Sequence, residues 1–185
     1  MAEIEDAIER ADREAFTRQP PKTLQSRINF LMKQLKTTKA VAQEIGVSQR
    51  SVERYRKGER KHPPKDIAER IDAAVRTRWQ PQVRKRRQKQ AATTTGITVE
   101  TRARFGYTAP IGTTDDGRFR RLTVHLPPAY AQRLFDARNT GASDQQMRGI
   151  IAEGFKDIYF QDGGARATGL SDVTLNDIDY LDLDY

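Results

Sequence analysis

Gln49, Arg50, Ser51 and Arg54 crowd one short polar stretch, QRSVERYRK, and their side chains are of the types that read DNA bases. An arginine fork matches the O6 and N7 acceptors of guanine, and a glutamine amide matches the edge of adenine. Arg56, Lys57, Arg60 and Lys61 follow directly and suit phosphate oxygens, where they would set affinity and salt dependence, not sequence choice. The bland alternative is a solvated helix face. Glu53 and Glu59 are the only anions nearby, and this local excess of positive charge favours a polyanion partner.

A second group of reactive types lies in GYTAPIGTTDDG, residues 106–117: the hydroxyls of Tyr107, Thr108, Thr113 and Thr114, beside Asp115 and Asp116. On the residues alone, Thr113 and Thr114 read equally as caps of an Asp116-Gly117 turn. Arg118, Arg120 and Arg121 follow. They suit a triphosphate or a template backbone, or form a plain exposed strand face. Other chemistries lack their residues. There is no cysteine, which excludes disulfides, thiol nucleophiles and cysteine-ligated metal. His62 and His125 are far apart and have no partners at ligand spacing, so no intrinsic metal or cofactor is expected.

The elements that must position these groups follow from periodicity. Residues 38–57, TKAVAQEIGVSQRSVERYRK, meet the demands of a helix-turn-helix. Ala42 is small where the helices approach, Gly46 tolerates positive φ at the turn, and Ser48 caps the second helix. Val41, Ile45, Val47, Val52 and Tyr55 face inward. Helices are also predicted at about 3–16, from Thr23, and from Pro63-Pro64 along Ile67, Ile71, Val75 and Trp79. The expected N-terminal domain, residues 1–80, is therefore all-α, with five short helices.

PQVRKRRQKQAATTTG, residues 81–96, reads as a solvated linker, or as a basic arm or the end of a helix lying along DNA, in which Arg84, Lys85, Arg86 and Arg87 meet DNA phosphates. Residues 97–166 predict strands at 97–105 and 118–126 joined by a long hairpin tip, then two helices. The tail, 167–185, alternates acidic and apolar residues and reads as disordered or partner-docking. The fold class is α+β. Residues 1–90 carry 23 basic and 12 acidic side chains, residues 91–185 only 10 and 13, so the polyanion contact belongs to the first half. Apolar runs are far shorter than the ~20 residues that span a bilayer. The acidic, amphipathic start is no secretory signal, so the expectation is cytoplasmic, with no membrane partner.

Three segments carry a resemblance: RQPPKTLQSRINFLMKQLKTTKAVAQEIGVSQRSVERYRKG, KQAATTTGITVETRARFGYTAPIGTTDDGRFRRLTVHLPP and DIDYLDLDY. With them the chain resembles the telomere-associated terminal proteins of actinomycete linear chromosomes and plasmids, over essentially its whole length. The resemblance implies a protein that caps linear DNA ends, sits at the nucleoid and stays covalently attached to the 5′ end. It implies a protein primer, whose side-chain hydroxyl accepts the first deoxynucleotide for a DNA polymerase. The polymerase would bring Mg2+ or Mn2+ with the nucleotide. A separate telomere-binding protein would recruit the chain to single-stranded or folded palindromic telomeric DNA. The family pattern, a threonine within GTTDDGRFRR, falls best on Thr114, with Thr113 as runner-up.

Two other readings compete. One is a non-covalent helix-turn-helix regulator of transcription or replication. In a variant of it, Arg120 to Phe155 has the strand–helix–helix order of ribbon-helix-helix repressors, whose strand pairs with that of a second subunit. The other is a nicking or joining nuclease, for which Tyr107, close to Arg102 and Arg104, is the best tyrosine nucleophile.

Overall fold

A computed structural model describes residues 3–185. The architecture is α+β, and the chain forms two compact units: residues 16–81, and a second assembled from residues 3–15 together with residues 82–185. The first helix, α1 (Glu3–Glu14), is therefore built into the second unit and not into the helical domain that sequence order suggests.

Residues 16–81 hold α2 (Leu24–Leu35), α3 (Thr38–Ile45), α4 (Gln49–Lys57) and α5 (Lys65–Arg78). Three of the starts have a local cause. The hydroxyls of Thr23, Thr37 and Ser48 accept the backbone N–H groups of Ser26, Ala40 and Ser51, satisfying donors that a helix start leaves open. Gly46 ends α3 at φ +70°, a left-handed conformation that costs a residue with a Cβ about 1–2 kcal/mol. Ile28, Leu31, Ile45, Val52, Tyr55 and Ile71 fill the centre, and Phe30 meets Trp79 edge-on at 5.0 Å.

The second unit is an antiparallel sheet with helices on one face. Its central strand, β1 (Ile97–Ala109), is lined along one edge by β4 (Asp172–Asp184). Along the other edge lie β3 (Arg120–Leu126), beside the first half of β1, and β2 (Gly112–Asp115), beside the second. Val99, Phe105, Leu122, Val124, Leu175 and Leu183 are buried on the inner face. Against it pack α1, α7 (Pro128–Asn139) and α8 (Asp144–Gly154), with a π-helical turn, Phe155–Phe160, continuing α8. Within this unit the outer face is open.

Three further expectations are corrected by the structure. The basic segment is no linker but helical, the other form expected of it: Pro81 opens a regular helix, α6 (Pro81–Gln90), and a π-helical turn follows at Ala91–Thr95. Proline suits a first helical position, and the residues after it are good helix formers. The acidic tail is no disordered segment: β4 pairs with β1 from Asp184 opposite Thr98 to Asp172 opposite Thr108. Its pairing slips twice, between Arg102 and Ala103 and again before Phe105. One slip turns every later side chain to the other face, and the second turns them back. Strict alternation is lost between Asn176 and Leu181, and the strand signal goes with it.

The third correction is the hairpin. Its tip is the two-residue turn Pro110–Ile111, and the Asp116-Gly117 region is an irregularity between β2 and β3. Strand β4 flanks β1 as far as Thr108, so the hairpin is part of the sheet over most of its length. Gly106 makes this possible: a Cβ there would lie 2.4 Å from Thr174 Oγ1 and 2.7 Å from Asp115 Oδ1. One edge of β3 is filled by this chain's own β1, and the other has no neighbour among the described residues, as a strand that pairs with a second subunit requires.

The reason α1 belongs to the sheet is visible in its two stripes. Ile4, Ala7, Ile8 and Ala11 are buried in the core. Glu5, Glu9 and Asp12 recur at helical spacing beside Arg138 of α7, at 2.7, 3.5 and 3.3 Å. The Asp144 carboxylate at the start of α8 accepts the Ile4 N–H at 2.8 Å and the Glu5 N–H at 3.3 Å. An apolar stripe announces that a helix needs a face, not which face; the acidic stripe needed Arg138, far away in sequence.

Candidate nucleic-acid interface and hydroxyl-bearing hairpin

In residues 16–81 the two helices α3 and α4, their glycine turn and their inward residues fall where the pattern of residues 38–57 sets them. Val41, Ala42, Ile45, Val52 and Tyr55 are buried and Val47 packs beside them. The Gly46 N–H donates to the Ala42 carbonyl, and Val47 N–H donates to the same oxygen at 2.9 Å. This turn presents one side of α4. Gln49, Arg50, Arg54, Arg56 and Lys57 are exposed there. Ser51 differs: it is half-buried, and its hydroxyl lies 3.0 Å from that of Ser48, within the helix cap. Its first role is to start α4.

The cations of this region divide by partner. Arg54 Nε lies 3.8 Å from Glu59, a loose pair in water, and the Arg60 guanidinium stands over the Tyr55 ring at 5.8 Å. Arg50, Arg56, Lys57 and Lys61 form no ion pair among the described residues. Residues 16–81 hold 16 basic and 6 acidic side chains, so this unit carries more than the whole net charge of the chain. A field of that sign attracts polyanions and raises their association rate.

Helix α6 splits the basic run. Arg84 turns inward, its side chain 13% exposed and 4.0 Å from Asp12. Arg87 lies 3.8 Å from Asp184 and over the Tyr185 ring. Lys85 and Arg86 point outward with Lys89. Of the four expected phosphate contacts, two are thus engaged in holding the sheet unit together. Asp12 is the centre of that network: fully buried, it also accepts from Gln88 at 3.2 Å and from the Tyr185 hydroxyl at 2.8 Å. Burial, then the Asp12 charge, push the Tyr185 phenol well above the usual range.

All four residues of β2 are exposed. Thr114 stands opposite Tyr107, and Thr113 opposite Thr108, the hydroxyls of Thr113 and Thr108 being 3.2 Å apart. Cross-strand neighbours share a face, and successive residues of a strand alternate, so Thr113 and Thr114 project to opposite sides of the hairpin. Ile111, at the tip, is fully exposed. Tyr107 contributes its ring to Phe160, centroids 5.2 Å apart, and its hydroxyl is buried without a hydrogen-bond partner. Burial raises its pKa.

The neighbouring charges are paired. Asp115 accepts from the Asn176 amide at 2.8 Å. Asp116 accepts the Arg118 N–H at 3.0 Å and Arg120 Nε at 2.6 Å, which hold its carboxyl below the usual range. Its role in the turn is thereby assigned. Arg121 meets Glu100 at 2.5 Å. Of the three arginines, Arg118 is the most open, with 82% of its side chain exposed and Asp116 3.5 Å away.

Sequence reasoning missed Phe119. It is one of the few large apolar side chains left exposed, and both Arg102 and Arg104 lie over its ring, at 4.9 and 4.7 Å. The readable signal was Arg102 and Arg104 two positions apart on a strand, which puts both on one face. His125 is exposed on β3 with Nδ1 3.1 Å from the Thr98 hydroxyl, and His62 lies in an exposed loop. Among the described residues no group of three His, Asp or Glu side chains gathers as a metal site, and no helix is long and apolar enough to cross a membrane. Comparison with protein-family models, with curated proteins and with solved structures finds no match for this chain.

Proposed function

We propose that this chain is a terminal protein: it caps linear DNA ends and primes DNA synthesis on the Thr114 hydroxyl. The helix-turn-helix unit holds duplex DNA near the end, through Gln49, Arg50 and Arg54 at bases and Arg56, Lys57 and Arg60 at phosphates. Lys85 and Arg86 add phosphate contacts. Thr114 then takes the place of a DNA 3′-hydroxyl in the site of a DNA polymerase. Its oxygen bonds the α-phosphorus of a deoxynucleotide, the bond to the β-phosphate breaks, and pyrophosphate leaves with the nucleotide's metal ions. The hydroxyl proton passes to a base of the polymerase or to water. The product is a phosphodiester between Thr114 and the first nucleotide, which the polymerase extends.

The observation that carries this reading is the setting of Thr114. It is exposed, three positions after the fully exposed tip residue Ile111, on an edge strand with no neighbour beyond it among the described residues. A strand held in register presents a hydroxyl more rigidly than a loop does, and less ordering is left for the moment of reaction. The test is incubation of the purified protein with each α-labelled deoxynucleotide in an extract that replicates linear ends, beside a known primer protein as control. Denaturation-resistant label is expected on the wild type and on Thr113→Ala, and not on Thr114→Ala.

The second reading is a non-covalent regulator, favoured by the helix-turn-helix pattern itself. It predicts DNA binding with no covalent label, and indifference to the residue at 114.

A further inference from the structure

The outer face of the sheet has no covering element within its unit, yet it is not a featureless polar surface. Phe119 lies on it, 38% exposed, in the break between β2 and β3. Two guanidiniums, Arg102 and Arg104, lie within 5 Å of its ring centroid, at 4.9 and 4.7 Å. Tyr180 of β4 stands opposite Arg102 in the sheet, with the Arg121 guanidinium 5.9 Å from its ring. A lone exposed phenylalanine is ordinary. Two aromatic rings on one sheet face, each with guanidiniums over it, make a different surface: π-faces on which these exposed arginines rest, and which a base can take by stacking as the arginines turn to its phosphates.

We propose that this face binds single-stranded DNA, its bases stacking on Phe119 and Tyr180 and its phosphates meeting Arg102, Arg104, Arg118 and Arg121. Stacked bases are held without regard to sequence, because every base has a π-face. The inference rests on the reading of the chain as a DNA-end protein, but not on which hydroxyl accepts the nucleotide. A strand crossing this face runs on the side of the hairpin to which Thr113 projects, while Thr114, opposite Tyr107, projects to the other side, so the bound strand passes the edge of β2 and not the Thr114 hydroxyl directly.

Carboxylates also lie on this face; Asp182 and Asp184 pair with Arg10 and Arg87, and the others each face one of these guanidiniums. Asp179 pairs with Arg102 at 2.5 Å, Asp177 with Arg104 at 3.2 Å, and Glu100 with Arg121 at 2.5 Å. All these side chains are at least one-third exposed, and such pairs are weak in water. Each carboxylate holds a guanidinium in place through a single oxygen and yields it to a phosphate, which an arginine fork can bind bidentately. Removing the carboxylates should therefore strengthen binding, an effect opposite in sign to simple damage.

The test uses the full chain and fluorescence anisotropy with labelled oligo-deoxythymidine of about 20 nucleotides. Phe119→Ala is expected to weaken binding about tenfold, the scale of one lost stacking contact, and Phe119→Trp to preserve it. Asp177→Asn with Asp179→Asn is expected to tighten it several-fold. Duplex binding through residues 16–81 should not change in either case. Ultraviolet cross-linking to an oligonucleotide carrying 5-iododeoxyuridine should mark the peptide with Phe119. Unchanged affinity in Phe119→Ala, cross-links confined to residues 16–81, or weaker binding after loss of the two aspartates would each overturn the proposal. Covalent labelling at Thr114 can succeed or fail independently, so the two readings are separable.

Discussion

Replacing Asp12 with alanine should unfold the sheet unit at a much lower temperature while leaving the helix-turn-helix unit untouched. The carboxylate is fully buried. It faces Arg138 at 3.3 Å, Arg84 at 4.0 Å, the Gln88 amide at 3.2 Å and the Tyr185 hydroxyl at 2.8 Å. Alanine takes this acceptor away from all four. Arg138 keeps Glu5 and Glu9, so it is not stranded alone, but Arg84 is 13% exposed and loses the Asp12 charge. Breaking a buried ion pair from one side costs about 3–5 kcal/mol. For a unit of this size each kcal/mol lowers Tm by about 4 °C, so the expected fall is about 12–20 °C. The assay exploits the single tryptophan, Trp79, which lies in residues 16–81. Tryptophan fluorescence follows that unit, and near-ultraviolet tyrosine signals, from five of the six tyrosines, follow the sheet unit. The sheet transition should drop and the Trp79 transition should stay. A shift below about 3 °C in the sheet transition, or an equal shift in both, would refute the assigned role of Asp12.

Other expectations follow from the same contacts. A fragment of residues 16–81 should fold and bind duplex DNA alone, whereas residues 82–185 without α1 should show no cooperative melting; circular dichroism of the two fragments decides this. Gly46→Ala should cost about 1–2 kcal/mol for its left-handed backbone and weaken duplex binding, measured by denaturation and anisotropy. Asp116 has its pKa depressed by the Arg118 N–H and by Arg120, so its contribution is present above the unfolded pKa and is lost as pH falls through the folded one. Acid titration should show stability declining below about pH 4, with a smaller decline in Asp116→Asn. Lys57→Ala should lower the salt slope of duplex binding by about one, and Arg50→Ala should change the preferred sequence.

Much of the helical unit was legible because its signals are local. Gly46, Ser48 and the inward residues of α3 and α4 sit within one short stretch, and each demand is met by a neighbour in sequence. The sheet unit was harder because its determinants are distant. Glu5, Glu9 and Asp12 meet Arg138 only after the chain has returned, so α1 looked like a member of the bundle beside it. Arg84 and Arg87 looked like free phosphate contacts because their carboxylates, Asp12 and Asp184, lie far along the chain. Strand β4 was obscured by its two register slips, which break the period-two pattern. The hairpin's tip was misplaced because Asp116-Gly117 is a better turn signal than Pro110-Ile111; pairing of Thr113 and Thr114 with β1 decided the matter. Thr114 itself came from the resemblance, and its exposure on an edge strand came from the structure.

The most direct test of the central claim is the identity of the atom that carries the nucleotide. Trypsin cleaves after Arg104 and Arg118, which leaves Tyr107, Thr108, Thr113 and Thr114 together in one peptide. After incubation with the replicating extract, that peptide should gain the mass of one deoxynucleoside monophosphate less one water, and fragmentation should place it on Thr114. The modified peptide should persist in Thr114→Ser and vanish in Thr114→Ala. An unmodified peptide, in an extract that labels a known primer protein, or an adduct on another residue that survives Thr114→Ala, would contradict the account.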